Sequence, residues 1–250
     1  LRIPIVIHES DSKAGRANRL GAKFARYIGI AFDEVASAFP PAKTALVGIP
    51  IRQAFFSYPE APLVTLGLPP EKPLLFVTGG SSGAERINNL LLESLDELLP
   101  QFTVLHQTGP AHEERVRKTA VELLGDSPAL ESYYVKGTLS SSDMHLALAG
   151  ASIVISRAGS GTIYEIASMA KPAIIIPIPE RISHDQRSNA YAYARTGAAS
   201  VIEEGNLTDS LLTSEITRII SDQATYEAMS QAARSFARPE AAEVVANTLL

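Results

Sequence analysis

The sequence predicts an α/β protein of parallel, doubly wound sheets. Three observations carry that reading. Residues 151–177 hold a complete unit: the apolar run Ile153-Val154-Ile155, the turn Ser156 to Gly161, a helical pattern, and a second apolar run from Ala173 to Ile176. Neither run alternates polar with apolar residues, as expected of strands covered on both faces. From Leu74 onward strands and helices alternate, which specifies a parallel sheet.

The totals narrow the function classes. The chain has 250 residues and is 46% hydrophobic, enough to fill a covered sheet. It has no cysteine, so neither a disulfide nor a thiolate metal site exists. A net charge of -5 argues against a general nucleic-acid binder. No apolar run approaches the ~20 residues of a membrane span, and no secretory signal is present. A strand begins almost at Leu1, so further sequence is expected upstream.

Ile3 to Ile7 reads as a strand that delivers His8 and Glu9 at its C-terminal end, where ligands gather in open α/β sheets. The pair reads equally as a polar strand cap. A helix from about Gly15 to Arg26 turns Leu20 and Phe24 inward and displays Arg16, Arg19, Lys23 and Arg26. That basic stripe is either a solvated face or a contact for anionic lipid headgroups. Ile28 to Ala31 and Ala45 to Val47 are short strands. Five prolines between Tyr58 and Pro73 mark an irregular linker, with the domain boundary near residues 50–58.

Strands then follow at Leu74 to Thr78, Phe102 to Gln107, Tyr133 to Lys136, residues 153–155, Ala173 to Ile176 and Ala199 to Ile202. Helices are expected from Ala84 to Leu99, Ala111 to Leu124, Asp143 to Ala149, after Gly161, and from Asp185 to Thr196. Gly197 stops the last of these. Three helical patterns finish the chain: Thr208 to Ser221, Thr225 to Ala237 and Glu240 to Leu250.

Two glycine turns follow strands and open helices, at Gly79 to Gly83 and Gly159 to Gly161. Glycine lets backbone N–H groups approach a ligand, and a helix N-terminus favours an anion. Two such turns facing one crevice suit a diphosphate. Glu165 would lie within reach of an attached ribose. Thr162 and Glu165 also read as a capping box that binds nothing, and Gly79 to Gly83 as a tight turn alone. Its continuation, Ala84-Glu85, is wrong for a Walker lysine. Gln186 and Asn189 share a helix face and carry amides suited to sugar hydroxyls. No metal is proposed, because no H-x-x-x-H or D-x-D motif occurs.

Six segments, in this order, resemble the bacterial MurG glycosyltransferases of family 28. They are Ile7-His8-Glu9, Gly48 to Arg52, Gly79 to Ala84, His106 to Gly109, Ser156 to Gly159 with Glu165, and Asp185-Gln186 with Asn189. The resemblance covers nearly the whole chain. It implies a GT-B fold of two Rossmann-like domains. Residues 1–52 would be the end of an acceptor-side domain, 53–237 the UDP-sugar domain and 238–250 a C-terminal helix.

The implied activity is inverting, metal-independent transfer of GlcNAc from UDP-GlcNAc to a lipid-linked muramyl-pentapeptide, without a cofactor. The enzyme would work at the cytoplasmic face of the bacterial inner membrane, in peripheral contact with anionic lipid. By resemblance, Arg52 and Ser81 contact the diphosphate and Ser141 offers backbone groups to uracil. Ser160, Gly161, Thr162, Ile163, Tyr164 and Glu165 line the nucleotide, with Glu165 on the ribose. Gln186 binds sugar hydroxyls with Asn189 close by. A donor-sugar contact falls at Asp11, which with Ser10 stands where the family carries Gln-Asn. The family's glycine-rich acceptor loop and proposed base belong to strands upstream of Leu1, so no catalytic residue is assigned.

Two other readings remain open. One is a UDP-GlcNAc-binding half that works only with a partner chain or an upstream segment. The other is a UDP-GlcNAc 2-epimerase, which would need acid–base carboxylates around the sugar.

Overall fold

The computed structural model describes residues 3–80, 83–179 and 184–249. The first sheet holds β1 (Val6–Glu9), β2 (Tyr27–Ile30) and β3 (Thr44–Leu46), parallel and in that order. β1 begins three residues later than the sequence suggests. Pro4 has no N–H to give a ladder, and Ile3 and Ile5 are exposed. His8 and Glu9 therefore lie inside the strand rather than beyond it.

The helix after β1 is also shorter than expected: α1 spans only Arg16–Gly21. The Lys43 ammonium takes the carbonyls of Ala22 and Ala25, at 2.6 and 2.8 Å. Ala22 and Ala25 fill the core under the sheet, while Leu20 and Phe24 are 63% and 72% exposed. The expectation that Leu20 and Phe24 point inward is thus overturned. The helix has ended before Phe24, so helical spacing no longer sets its direction.

The proline-rich segment is not a bare linker. Phe55 is fully buried in the core of the second sheet. A short helix, α2 (Pro62–Thr65), packs Leu63 over Gly150, where a Cβ would come 2.6 Å from the Leu63 side chain.

The second sheet contains β4 (Leu74–Thr78), β5 (Thr103–Gln107), β6 (Tyr133–Lys136), β7 (Ala151–Ser156), β8 (Ala173–Ile175) and β9 (Ala199–Val201). All pair in parallel, in the order β6-β5-β4-β7-β8-β9. The direction of winding reverses between β4 and β7. Ligands of doubly wound sheets bind beyond strand ends at such a reversal.

Side chains alternate between two cores. Leu75, Val77, Ile153 and Ile155 face α3 (Glu85–Glu93), α4 (Leu95–Leu98), α5 (Glu113–Leu124) and α9 (Asp209–Ser221). Leu74, Phe76 and Val154 face α6 (Ser141–Gly150), α7 (Ser160–Ser168) and α8 (His184–Arg195). α10 (Gln223–Phe236) gives Met229 to the first core and Ala233 to the second. The single helix expected up to Leu99 is two that meet at Ser94 (φ −101, ψ 0), whose hydroxyl bonds the Leu90 carbonyl. Gly197 ends α8 at φ +87, as the sequence suggests.

The last helix, α11 (Ala241–Leu249), returns to the first sheet. Val244, Val245 and Thr248 line a cavity of about 260 Å³ with β1, β2 and β3. Where the chain leaves the first sheet, Gly48 has φ +85 and lies against Arg238. A Cβ there would come 2.6 Å from the Arg238 side chain and 3.1 Å from the Tyr164 ring. Among the described residues no helix is long and apolar enough to cross a membrane.

Candidate functional site

The turn between β7 and α7 is open. α7 starts at Ser160 with Gly159 as N-cap, and no side chain caps it. The capping box read from Thr162 and Glu165 is therefore absent, because Thr162 already lies inside the helix. A Cβ on Gly161 would meet nothing within 4 Å, and one on Gly159 only the Thr162 hydroxyl at 3.8 Å. Free N–H groups at this helix start suit an anion.

The first glycine turn is of a different kind. Gly83 has φ +76, and a Cβ there would collide with the Thr108 carbonyl. A Cβ on Gly79 would collide with the Ala84 amide. These glycines are demanded by the packing of the chain itself. Ser81 lies outside the described residues.

Thr78 and Ser156, the last residues of β4 and β7, are register partners, so both turns leave neighbouring strand ends. Their helices nevertheless pack on opposite faces of the sheet. Helices on opposite faces at a reversal of strand order leave a crevice between the two turns. A cavity of about 530 Å³ is lined by Gly79 and Gly83 of the first turn and Arg157 of the second, with Arg86, Ile178 and Pro179.

Glu165 stands one turn into α7, beyond the second glycine turn. Its side chain is 18% exposed and its carboxylate lies 3.4 Å from the Arg52 guanidinium. Burial raises its pKa, and the Arg52 charge and hydrogen bond oppose that rise. Arg52 comes from the crossing between the sheets and stacks over Phe55 at 5.4 Å. Ser160, Gly161 and Thr162 are half-buried beside this pair.

Ile163 and Tyr164, expected to line the nucleotide, turn away from it. Ile163 is fully buried under the sheet. Tyr164 donates its hydroxyl to the Ala31 carbonyl and meets Phe32 edge-on, with ring centroids 6.0 Å apart. The helical period that puts Thr162 and Glu165 on the open side puts the two residues between them in the core.

The polar helix α8 is committed to the same turn. The Gln186 carbonyl accepts the amides of Ala158 and Ile178, at 3.2 and 3.3 Å. Asn189 is buried and bonded to Ser12, Asp11 and Ala158. Asn189, read with Gln186 as amides for sugar hydroxyls, bridges the two sheets in this structure, with Asp11 as one partner. Ser141 is exposed at the start of α6, beyond edge strand β6. One turn further along α6, His145 packs against the Phe55 ring over which Arg52 stacks, so the start of this helix lies near the Arg52–Glu165 pair.

Two buried polar residues hold the turns in place; the sequence marks Glu9 as a site or cap candidate but gives Asn88 no role. Glu9 accepts the Gly15 amide at 2.8 Å and the Asn18 side chain at 3.0 Å, which shapes the loop carrying Asp11 and Ser12. Asn88 binds His106 at 3.0 Å and donates to the Thr108 carbonyl at 3.0 Å, behind Gly83. An asparagine between Ile87 and Leu90 was the available signal.

The model of the glycosyltransferase family 28 C-terminal domain matches residues 74–245. The chain belongs to glycosyltransferase family 28. A relative in Listeria monocytogenes serotype 4b is 32% identical, covering 100% of this chain and 68% of its own length. One in Treponema denticola is 35% identical over 81% of this chain and 53% of its own length. Both are named UDP-N-acetylglucosamine–N-acetylmuramyl-(pentapeptide) pyrophosphoryl-undecaprenol N-acetylglucosamine transferase. The chain thus spans about half to two thirds of these relatives.

Among solved structures, MurG from Acinetobacter baumannii superposes with TM-score 0.77 at 26% identity, over 99% of this chain and 66% of that one. A UDP-GlcNAc 2-epimerase from Neisseria meningitidis superposes at 0.69 with 14% identity, a likeness of fold alone. The family 28 chain has the expected GT-B, Rossmann-like architecture, with three parallel strands in its first sheet and six in its second.

Proposed function

We propose that this chain is the donor-binding part of an inverting transferase that moves GlcNAc from UDP-GlcNAc to undecaprenyl-diphospho-muramyl-pentapeptide in peptidoglycan synthesis. The observation that carries the reading is Glu165, held beside an uncapped glycine turn and facing Arg52. A carboxylate there accepts two ribose hydroxyls, and the amides at Ser160 to Thr162 receive a phosphate.

The acceptor hydroxyl attacks C1 from the face opposite UDP. Arg52 and the α7 N-terminus stabilise the departing diphosphate, a role that needs no metal. Residues 1–52 form the acceptor side, 53–237 the donor side and 238–250 the returning helix. The exposed Leu20 and Phe24 beside Arg16, Arg19, Lys23 and Arg26 support peripheral contact with an anionic membrane. That contact suits the cytoplasmic face of the inner membrane.

Calorimetry with UDP tests the donor site. Glu165→Ala weakens binding by about 1–3 kcal/mol, the worth of charged hydrogen bonds. Unchanged affinity would remove Glu165 from the site.

A further inference from the structure

Asn189 is 1% exposed. Its Oδ1 accepts the Ser12 amide at 2.8 Å. Its Nδ2 donates to the Asp11 carboxylate at 2.7 Å and to the Ala158 carbonyl at 3.3 Å. Ser12 and Asp11 follow β1 in the first sheet. Ala158 lies in the turn after β7 in the second, directly before Gly159. The amide on the other side of Ala158 is taken by Gln186, one turn earlier on α8. Residues of one helix therefore hold the Ala158 peptide from both ends.

We infer that Asn189 is a positioning residue that locks the loop after β1 to the turn between β7 and α7. The stance of the first sheet then sets how the amides of Ser160 to Thr162 are aimed. The inference rests on the donor-site reading above and gives Asn189 a positioning role within it.

The chemistry of the side chain fits this role closely. The site needs one acceptor, for the Ser12 N–H, and two donors, for Asp11 and the Ala158 carbonyl. Only a primary amide supplies both from one carbon. A carboxylate at this position has no donor and faces Asp11 with like charge. An alkyl group leaves buried polar groups unpaired. The loop end of the lock is itself fixed, because Glu9 accepts the Gly15 amide and the Asn18 side chain. The first sheet is thus tied to the turn through a short chain of hydrogen bonds, Glu9 to the loop, the loop to Asn189, and Asn189 to Ala158.

The test is UDP binding to the 250-residue chain by calorimetry, with far-ultraviolet circular dichroism to confirm folding. UDP carries no hexose, so a lost sugar contact is not read. Asn189→Asp lowers UDP affinity by about tenfold or more, through repulsion from Asp11 and loss of the donors. Adding Asp11→Asn to Asn189→Asp recovers only part of the lost affinity, because the 11–189 pair is rebuilt with its polarity reversed while the Ala158 carbonyl still lacks a donor. Asp11→Ala, at a half-buried position, costs UDP affinity severalfold and covers the case in which Asn189→Asp does not fold.

The inference falls if Asn189→Asp folds and binds UDP within about twofold of wild type. It falls equally if the second substitution restores nothing, or if Asp11→Ala leaves UDP affinity unchanged. Failure of the wild-type chain to bind UDP at all would instead bring down the donor-site reading.

Discussion

The Glu165 carboxylate and the Arg52 guanidinium lie 3.4 Å apart although 113 residues separate them in the chain. One stands on the helix after the open glycine turn, the other on the crossing that leaves the first sheet. In the free chain each occupies the other. A nucleotide that engages both must separate them, with ribose taking the carboxylate and phosphate the guanidinium.

Arg52→Ala separates these two effects. Uridine has the ribose and lacks the phosphates, and it binds the variant at least as well as wild type. UDP binds the variant about tenfold more weakly, having lost a charged partner. Calorimetry with both ligands reads the difference. Equal losses for uridine and UDP would mean that Arg52 only shapes the fold.

The two glycine turns respond oppositely to an added methyl group. Gly83→Ala meets the Thr108 carbonyl at φ +76 and lowers stability by about 1–3 kcal/mol or more. Gly161→Ala meets open space and gains helix propensity, worth up to about 1 kcal/mol. Its stability is kept while its UDP affinity drops. Thermal melts beside UDP titrations check the pair, and a Gly161→Ala chain with full affinity would move the phosphate elsewhere.

His106 makes the fold sensitive to acid. It is buried between the Tyr133 hydroxyl at 2.7 Å and Asn88, and burial lowers its pKa from 6.5 to about 3. The folded value lies below the unfolded one, so the fold favours the neutral ring. That share of stability is whole above pH 6.5 and drains as pH falls from there toward 3. His106→Gln melts lower at neutral pH and loses part of this pH dependence. Parallel acid profiles for the two chains would exclude His106 as the cause.

The exposed apolar pair beside the basic stripe has its own expected signature. Leu20→Ser combined with Phe24→Ser releases the chain from phosphatidylglycerol vesicles and leaves UDP affinity within about twofold. Vesicle sedimentation in rising salt reads both parts of the contact, because salt screens the stripe and spares the apolar pair. Undiminished sedimentation of the variant would place the membrane contact elsewhere.

Much of the second sheet was legible, because its strands are short apolar runs between clear turns. β4 spans Leu74–Thr78 and β6 spans Tyr133–Lys136, the bounds the sequence suggests. The first sheet was less so. α1 ends where Lys43, a residue of the next segment, claims the carbonyls at 22 and 25, and no local pattern announces that.

At the site, spacing located Glu165 and the glycine turn. It did not show that Ile163 and Tyr164 face inward, since helix phase depends on where the N-cap falls. Thr162 offered itself as that cap, and Gly159 took the role. Asn189 reads as an amide for sugar hydroxyls because it shares a helix face with Gln186, whereas its bond to Ser12 spans 177 residues. A hydrogen bond of that span leaves no periodic trace.

Two stretches of chain cross between the sheets, one near Gly48 and one near Arg238, and they touch each other. They are not the only ties: Asn189 bonds Ser12 and Asp11, Arg195 pairs with Glu34, and Tyr164 bonds the Ala31 carbonyl. A swing about the crossing would break these bonds in turn, so the cost of parting the two bodies is spread along their whole shared border.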